Sequence, residues 1–380
     1  MIHSSIFAKE LKNKLDNYQC NTSECGIVIG DAGMILSLSK LYSYTQNDYY
    51  LDKMYDILDA VFEEEKYGLS LGYGISGLAW SISLISEELI ENRDEWLIGI
   101  HQALETEYGL ALEQGNLDYF KGATGLLFYF LNCPIKIDNI NDIIESYLKA
   151  VQEKLSENDW FENLYDRNTG LYRKELNLGT PHGLTGIILM LLTAKEKEFD
   201  VDECIFTSLF EIMLSYEFKD REKTYCYYPS KVYEDGSRNK SGLAWCYGDL
   251  MIAYAMLKYG ILYGNDYYTQ YSKLILQDSL SKKALHSENL ILCHGYPSLL
   301  LIYSKIYKIT NDSIYNKASK QYEQQCKQAI SDSYFEYRKN RVPHYFFDKS
   351  SLLIGYSGFI LSALFWEGYN DCDWSKCLLL

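Results

Sequence analysis

Two hydrophobic patterns alternate along this chain. In the first, apolar residues recur at the i, i+3, i+4 spacing of an amphipathic helix, with acids and lysines between them. Leu51, Met54, Tyr55, Leu58, Val61 and Phe62 form one such stripe, and Ile144, Tyr147, Leu148, Val151 and Leu155 form another. The second pattern has no polar face. From Leu184 to Ala194, the run Ile187, Ile188, Leu189, Met190, Leu191 and Leu192 predicts a helix buried on all sides.

Each apolar run opens on a short glycine pattern. The copies are Gly30-Asp-Ala-Gly33, Gly74-Ile-Ser-Gly77, Gly122-Ala-Thr-Gly125, Gly183-Leu-Thr-Gly186, Gly248-Asp-Leu-Met251, Gly295-Tyr-Pro-Ser298 and Gly355-Tyr-Ser-Gly358. Their first glycines lie 44, 48, 61, 65, 47 and 60 residues apart. One Gly-x-x-Gly carries no information, but seven at near-regular spacing mark an internal repeat. Each repeat then pairs one amphipathic helix with one fully buried helix. An open stack would leave the buried helices uncovered at its ends and would need polar caps, yet no atypical terminal repeat is visible. Closing the array removes the ends. The expected fold is all-α: an α/α toroid, a double helical barrel of seven inner and seven outer helices, with residues 1–380 as a single domain. The seven glycine turns would lie at one end, where side chains around each glycine converge over the axis.

Composition narrows the possibilities without changing this picture. With 380 residues, 47% of them apolar, the chain can bury a large core without staples. Only five prolines occur, and no linker or low-complexity stretch is visible. A formal charge of −16 argues against nucleic acid as a partner. No apolar run reaches the roughly 18 residues of a membrane span. The first residues lack the uninterrupted apolar core of an export signal, which points to the cytoplasm and to ten reduced cysteines. The ending Cys377-Leu-Leu-Leu380 has the outline of a prenylation box; the reading adopted is an apolar end packed on the body.

The reactive side chains cluster around the third to sixth glycine patterns. They read Asp118-Tyr-Phe-Lys-Gly122, Asn177-Leu-Gly-Thr-Pro-His182-Gly183, Trp245-Cys246-Tyr247-Gly248-Asp249 and Cys293-His294-Gly295. Cys246, Cys293 and His294 form a credible zinc set, because adjacent repeats bring distant loops side by side. Thiolate and imidazole suit Zn2+, and three protein ligands leave one position open, as catalytic sites do. Two thiolates and a neutral imidazole cancel the charge of the ion. Such a shell favours an incoming thiolate over activation of water. Asp249 is expected to cap the fifth inner helix, and His344 to sit in a loop. The inserts 157–180 and 219–244 are candidates for peptide contact.

The motifs Trp245-Cys246-Tyr247-Gly248, Cys293-His294-Gly295, Asn177-Leu-Gly-x-x-His182-Gly183 and Asp118 before Gly122 closely resemble the lanthionine cyclase family across essentially the whole chain. That resemblance implies the same double α-barrel and one zinc on Cys246, Cys293 and His294. It also implies addition of a peptide cysteine to dehydroalanine or dehydrobutyrine, forming a lanthionine or methyllanthionine bridge. His182 matches the acid or base of the family, Asp118 the aspartate that orients it, and Tyr247 a group near the enolate. The implied partners are a dehydrated precursor peptide and a dehydratase, with room for peripheral membrane association through a biosynthetic complex. One departure stands out. The family usually carries arginine four residues before the first zinc cysteine, where this chain has Gly242; Arg238 or Lys240 is the available substitute.

Other readings share parts of this pattern. Protein prenyltransferases also use a helical barrel and a zinc-bound thiolate, but their ligand set includes an aspartate. Helical-barrel glycosidases need paired carboxylates, and Asp118 lacks an obvious partner in the sequence. The alternative from a different class is a non-catalytic zinc scaffold that binds peptides or thiols, raised by the missing arginine.

Overall fold

In the computed structural model, residues 11–12, 14–20, 23–63, 67–166, 170–282, 290–331 and 351–380 are described. Seven helices begin at or just after the seven glycine patterns: α1 (Ala32–Thr45), α3 (Ile75–Ser83), α5 (Ala123–Asn132), α7 (Leu184–Glu196), α10 (Asp249–Leu262), α12 (Tyr296–Thr310) and α14 (Tyr356–Trp366). Most of their residues are buried on every side, as in Leu184–Leu192. This is what their lack of a polar face requires. Between them run the amphipathic helices α2 (Asp48–Phe62), α4 (Arg93–Glu113), α6 (Ile140–Glu157), α8 (Glu203–Ser215), α11 (Asp266–Ser279) and α13 (Ser313–Ser331). Residues 11, 12 and 14–16 are also helical, ahead of the first pattern, and bury Leu11 and Leu15. Asn47, Asp202 and Asn265 cap α2, α8 and α11 through their side chains. The inner helices begin without such caps, because their first turns are covered by the loops above them.

The loops before the glycines form a closed circuit of backbone hydrogen bonds. Val28 N–H donates to Gly72 O (2.8 Å), Gly72 N–H to Phe120 O (2.9 Å), and Tyr119 N–H to Pro181 O (3.2 Å). Thr180 N–H then donates to Cys246 O (3.0 Å), Trp245 N–H to Cys293 O (3.1 Å), and Cys293 N–H to Leu353 O (2.9 Å). Leu352 N–H returns to Ile27 O at 3.1 Å. The seventh loop is thus bonded to the first, and α14 packs on α1. The array is a ring and not an open stack.

The second glycine of a pattern lies beneath that circuit. A Cβ on Gly125 would stand 2.0 Å from Tyr119 O. In the fifth copy Met251 takes this place, and Gly248 adopts φ +134°, whereas the glycines starting α3, α5, α7, α12 and α14 have negative φ.

The chain end fills the barrel. A 3₁₀ turn over Asp373–Leu378 buries Trp374, Cys377 and Leu378. Leu378 O accepts from Trp245 Nε1 (2.7 Å) and Cys377 O from the Tyr119 hydroxyl (2.8 Å), so this segment reaches the underside of the circuit.

The expectation of a wholly helical chain needs one addition. The two inserts form an antiparallel sheet in the order β1-β2-β3-β4, with β1 (Glu162–Asp166), β2 (Leu171–Asn177), β3 (Lys231–Tyr233) and β4 (Arg238–Asn239). A short helix, α9 (Arg221–Thr224), precedes β3. Strands of two to seven residues give little periodicity to read. The usable signal was Asp235-Gly236 between Tyr233 and Arg238, a tight-turn pair whose glycine has φ +80°. No described helix is long and apolar enough to cross a membrane.

Candidate metal centre and its surroundings

Cys246 and Cys293 occupy the same place in the repeat, two residues before the first glycine of the fifth and sixth copies. Both are nodes of the backbone circuit: Cys293 is held from each side, by Leu353 O and Trp245 N–H, and Cys246 O accepts from Thr180 N–H. Their Sγ atoms and a ring nitrogen of His294 all lie within 4.8 Å of one another. A tetrahedral zinc at about 2.0–2.3 Å from each donor needs separations of roughly 3.3–3.8 Å, within reach of small side-chain adjustments. The two sulfurs and the imidazole therefore fit a zinc ion in type and in place. Without an ion the two thiols compete for one charge. Hydrogen bonds from Cys293 and then His294 hold the Cys246 thiol below its ordinary pKa, while the Cys246 thiolate and burial push Cys293 well up.

His182 stands one residue before the fourth glycine and is only partly covered. Its Nδ1 donates to Asp118 Oδ2 at 2.6 Å. Asp118 Oδ1 accepts from the backbone N–H of Phe120 (2.7 Å) and Lys121 (2.8 Å), so both oxygens of this carboxylate are engaged. The Phe120 ring meets the imidazole edge-on, with centroids 5.8 Å apart. With Nδ1 committed to the carboxylate, Nε2 is the nitrogen left for chemistry. Beside this dyad a water-sized cavity of about 20 Å³ runs toward Lys154, Trp160, Glu162 and Glu175.

Tyr247 follows Cys246, and its hydroxyl accepts from Asn177 Nδ2 at 3.3 Å. Burial pushes its pKa up, so the phenol keeps its proton. The structure thus brings the three candidate ligands together, pairs Asp118 with His182, and sets Tyr247 beside the first cysteine.

Two expectations come out differently, and a third is not tested. Asp249 does not cap α10; its carboxylate accepts from the backbone N–H of Tyr227 and Tyr228 and pairs with Lys282. Neither cation upstream of Gly242 turns toward the cysteines. Arg238 Nη1 donates to Tyr216 O (3.0 Å) and Lys240 Nζ to Lys223 O (2.7 Å), both on the exposed side of the insert. His344 lies outside the described residues. Asn177 and Gly179 carried no assigned role in the sequence, although an asparagine six residues before the glycine also occurs in the third copy as Asn116.

The profile of "Lanthionine synthetase C-like protein" matches residues 23–379. The chain belongs to this family. Among curated relatives it is similar to "Nisin biosynthesis protein NisC" of Lactococcus lactis subsp. lactis. The two are 25% identical over 400 residues, covering 97% of this chain and 91% of that protein. Among solved structures it matches "Nisin cyclase" with a TM-score of 0.77 and 20% identity, over 99% of this chain and 98% of that one. That likeness extends the double α-barrel of the lanthionine synthetase C-like family to this chain.

Proposed function

We propose that this member of the lanthionine synthetase C-like family is a zinc-dependent lanthipeptide cyclase acting on a dehydrated precursor peptide. The observation that carries the reading is the convergence of Cys246, Cys293 and His294 within 4.8 Å of one another, on the ring that also holds the Asp118–His182 dyad. Zinc held by these three residues would supply Lewis-acid activation of a peptide thiol, lowering its pKa from about 8.5. The other roles belong to the chain itself. His182 Nε2 takes up the thiol proton and returns a proton to the α-carbon after the sulfur has added to the β-carbon of the dehydroamino acid. Asp118 holds the imidazole in one tautomer and balances its charge when protonated. Tyr247 donates a hydrogen bond toward the oxygen of the developing enolate. The name of the curated relative and the "cyclase" of the solved structure support this chemistry. A dehydratase partner and a cytoplasmic setting follow from the same reading, with residues 1–380 working as one domain.

Gly242 keeps one other reading in view, a zinc scaffold that binds peptides without turnover, since neither Arg238 nor Lys240 replaces the missing side chain. One experiment separates the two. The purified chain with zinc is incubated with a peptide bearing one dehydroalanine and one cysteine, then alkylated and weighed. Ring closure leaves the mass unchanged but blocks alkylation, and chelation beforehand restores it. A thiol that remains fully alkylatable with zinc-loaded protein would sink the cyclase reading.

A further inference from the structure

Asn116 and Asn177 occupy the same position in neighbouring repeats and make the same local turn. In each, Oδ1 accepts from the backbone N–H two residues on, Asp118 at 3.1 Å and Gly179 at 2.8 Å. Their amide nitrogens part ways. Asn116 Nδ2 stays in its own loop and donates to Lys121 O at 3.3 Å. Asn177 Nδ2 crosses to the fifth loop and donates to the Tyr247 hydroxyl at 3.3 Å.

The direction of that bond is set by chemistry. Gly179 N–H requires an acceptor, so Oδ1 must face it and the amide cannot turn round. Nδ2 has no acceptor capacity, so the phenol oxygen must accept. The hydroxyl hydrogen is left over, and among the described residues no protein acceptor takes it. The ring is held as firmly as the hydroxyl. A Cβ on Gly179 would stand 2.4 Å from the Tyr247 ring and 2.5 Å from Cys246 O, so the ring lies against bare backbone. The two loops are also joined by Thr180, through its N–H to Cys246 O (3.0 Å) and its hydroxyl to Trp245 O (2.9 Å).

We propose that Asn177 is a positioning residue for ring closure: it occupies the acceptor side of the Tyr247 hydroxyl and thereby turns the hydrogen toward the oxygen of the developing amide enolate. The inference rests on the cyclase reading above. No proton leaves Tyr247 in this role. The hydrogen bond strengthens as negative charge grows on that oxygen, and the α-carbon receives its proton from another group.

Asn177→Asp tests the direction of the bond with little change of shape. The carboxylate still accepts from Gly179 N–H, but its second oxygen accepts where the amide donated, so the Tyr247 hydroxyl turns back toward it. With the dehydroalanine–cysteine peptide, kcat falls about 100-fold while KM and bound zinc hold. Tyr247→Phe gives a similar loss, and the double variant is no slower than either single. Losses that multiply in the double variant would overturn the proposal. A second readout does not depend on turnover. In protein carrying [¹³Cζ]tyrosine, the resonance missing from Tyr247→Phe moves downfield in Asn177→Asp as the hydroxyl changes from accepting to donating. An unmoved resonance overturns the proposal. A moved resonance in a protein that closes no ring sinks the cyclase reading and leaves the hydrogen-bond direction standing.

Discussion

The Asp249 carboxylate is 1% exposed and is met by three donors: the backbone N–H groups of Tyr227 and Tyr228 and the ammonium of Lys282 at 3.1 Å. Through it the insert carrying β3 and β4 is latched to the first residue of α10, three positions beyond Cys246. Removing one partner of a buried pair strands the other, at about 3–5 kcal/mol. Asp249→Ala is therefore expected to lower unfolding stability by about 3 kcal/mol in urea titration, the low end because Lys282 retains some access to water. This contact was not legible beforehand. An aspartate at the start of a helix reads as a cap from local sequence alone, and its real partners lie 21, 22 and 33 residues away. The convergence of the two cysteines and His294 was legible, because their chemistry is distinctive and the repeat supplied the proximity that spacing could not.

Among the elements, the inner helices depend on how tightly each loop folds over its first turn. Gly248 shows the constraint at its sharpest. Its φ of +134° is closed to L side chains, and a Cβ there would stand 1.8 Å from Gly242 O. Gly248→Ala is expected to shift the fifth loop, lowering both the melting temperature and the zinc retained per chain by elemental analysis. Retention of one zinc at wild-type stability would contradict that geometry. Helix type and order were readable from the two hydrophobic periods, which have a direct physical cause in burial. The four-stranded sheet was not, because its strands are short and pair segments from separate inserts. Cross-strand pairing such as Asn177 with Lys231 depends on both inserts being brought to the same side of the ring.

Taken whole, the molecule is a ring closed at two levels, by the circuit of loop hydrogen bonds and by a chain end inserted beneath it. Trp374 belongs to that inserted segment and is 1% exposed. Trp374→Ala should cost about 3–5 kcal/mol, read as a lower urea midpoint. On the proposed function its zinc content should stay near wild type, since neither loop that carries the candidate ligands is altered. If zinc were lost without any loss of stability, the segment would be part of the metal centre and not a filler of the barrel.

Periodicity, the seven glycine patterns and the placement of cysteine and histidine before them were enough to state the barrel, the repeat number and the candidate ligands. All three are local signals: which faces must be buried, where a side chain is forbidden, which atoms can hold a soft cation. The closing bond from Leu352 to Ile27, the turn of Asn177 toward Tyr247, and the choice of Nδ1 as the His182 nitrogen that meets Asp118 came only from the folded chain. Each depends on the direction of a side chain or backbone group after distant segments have met, and direction is not encoded in any one stretch of sequence.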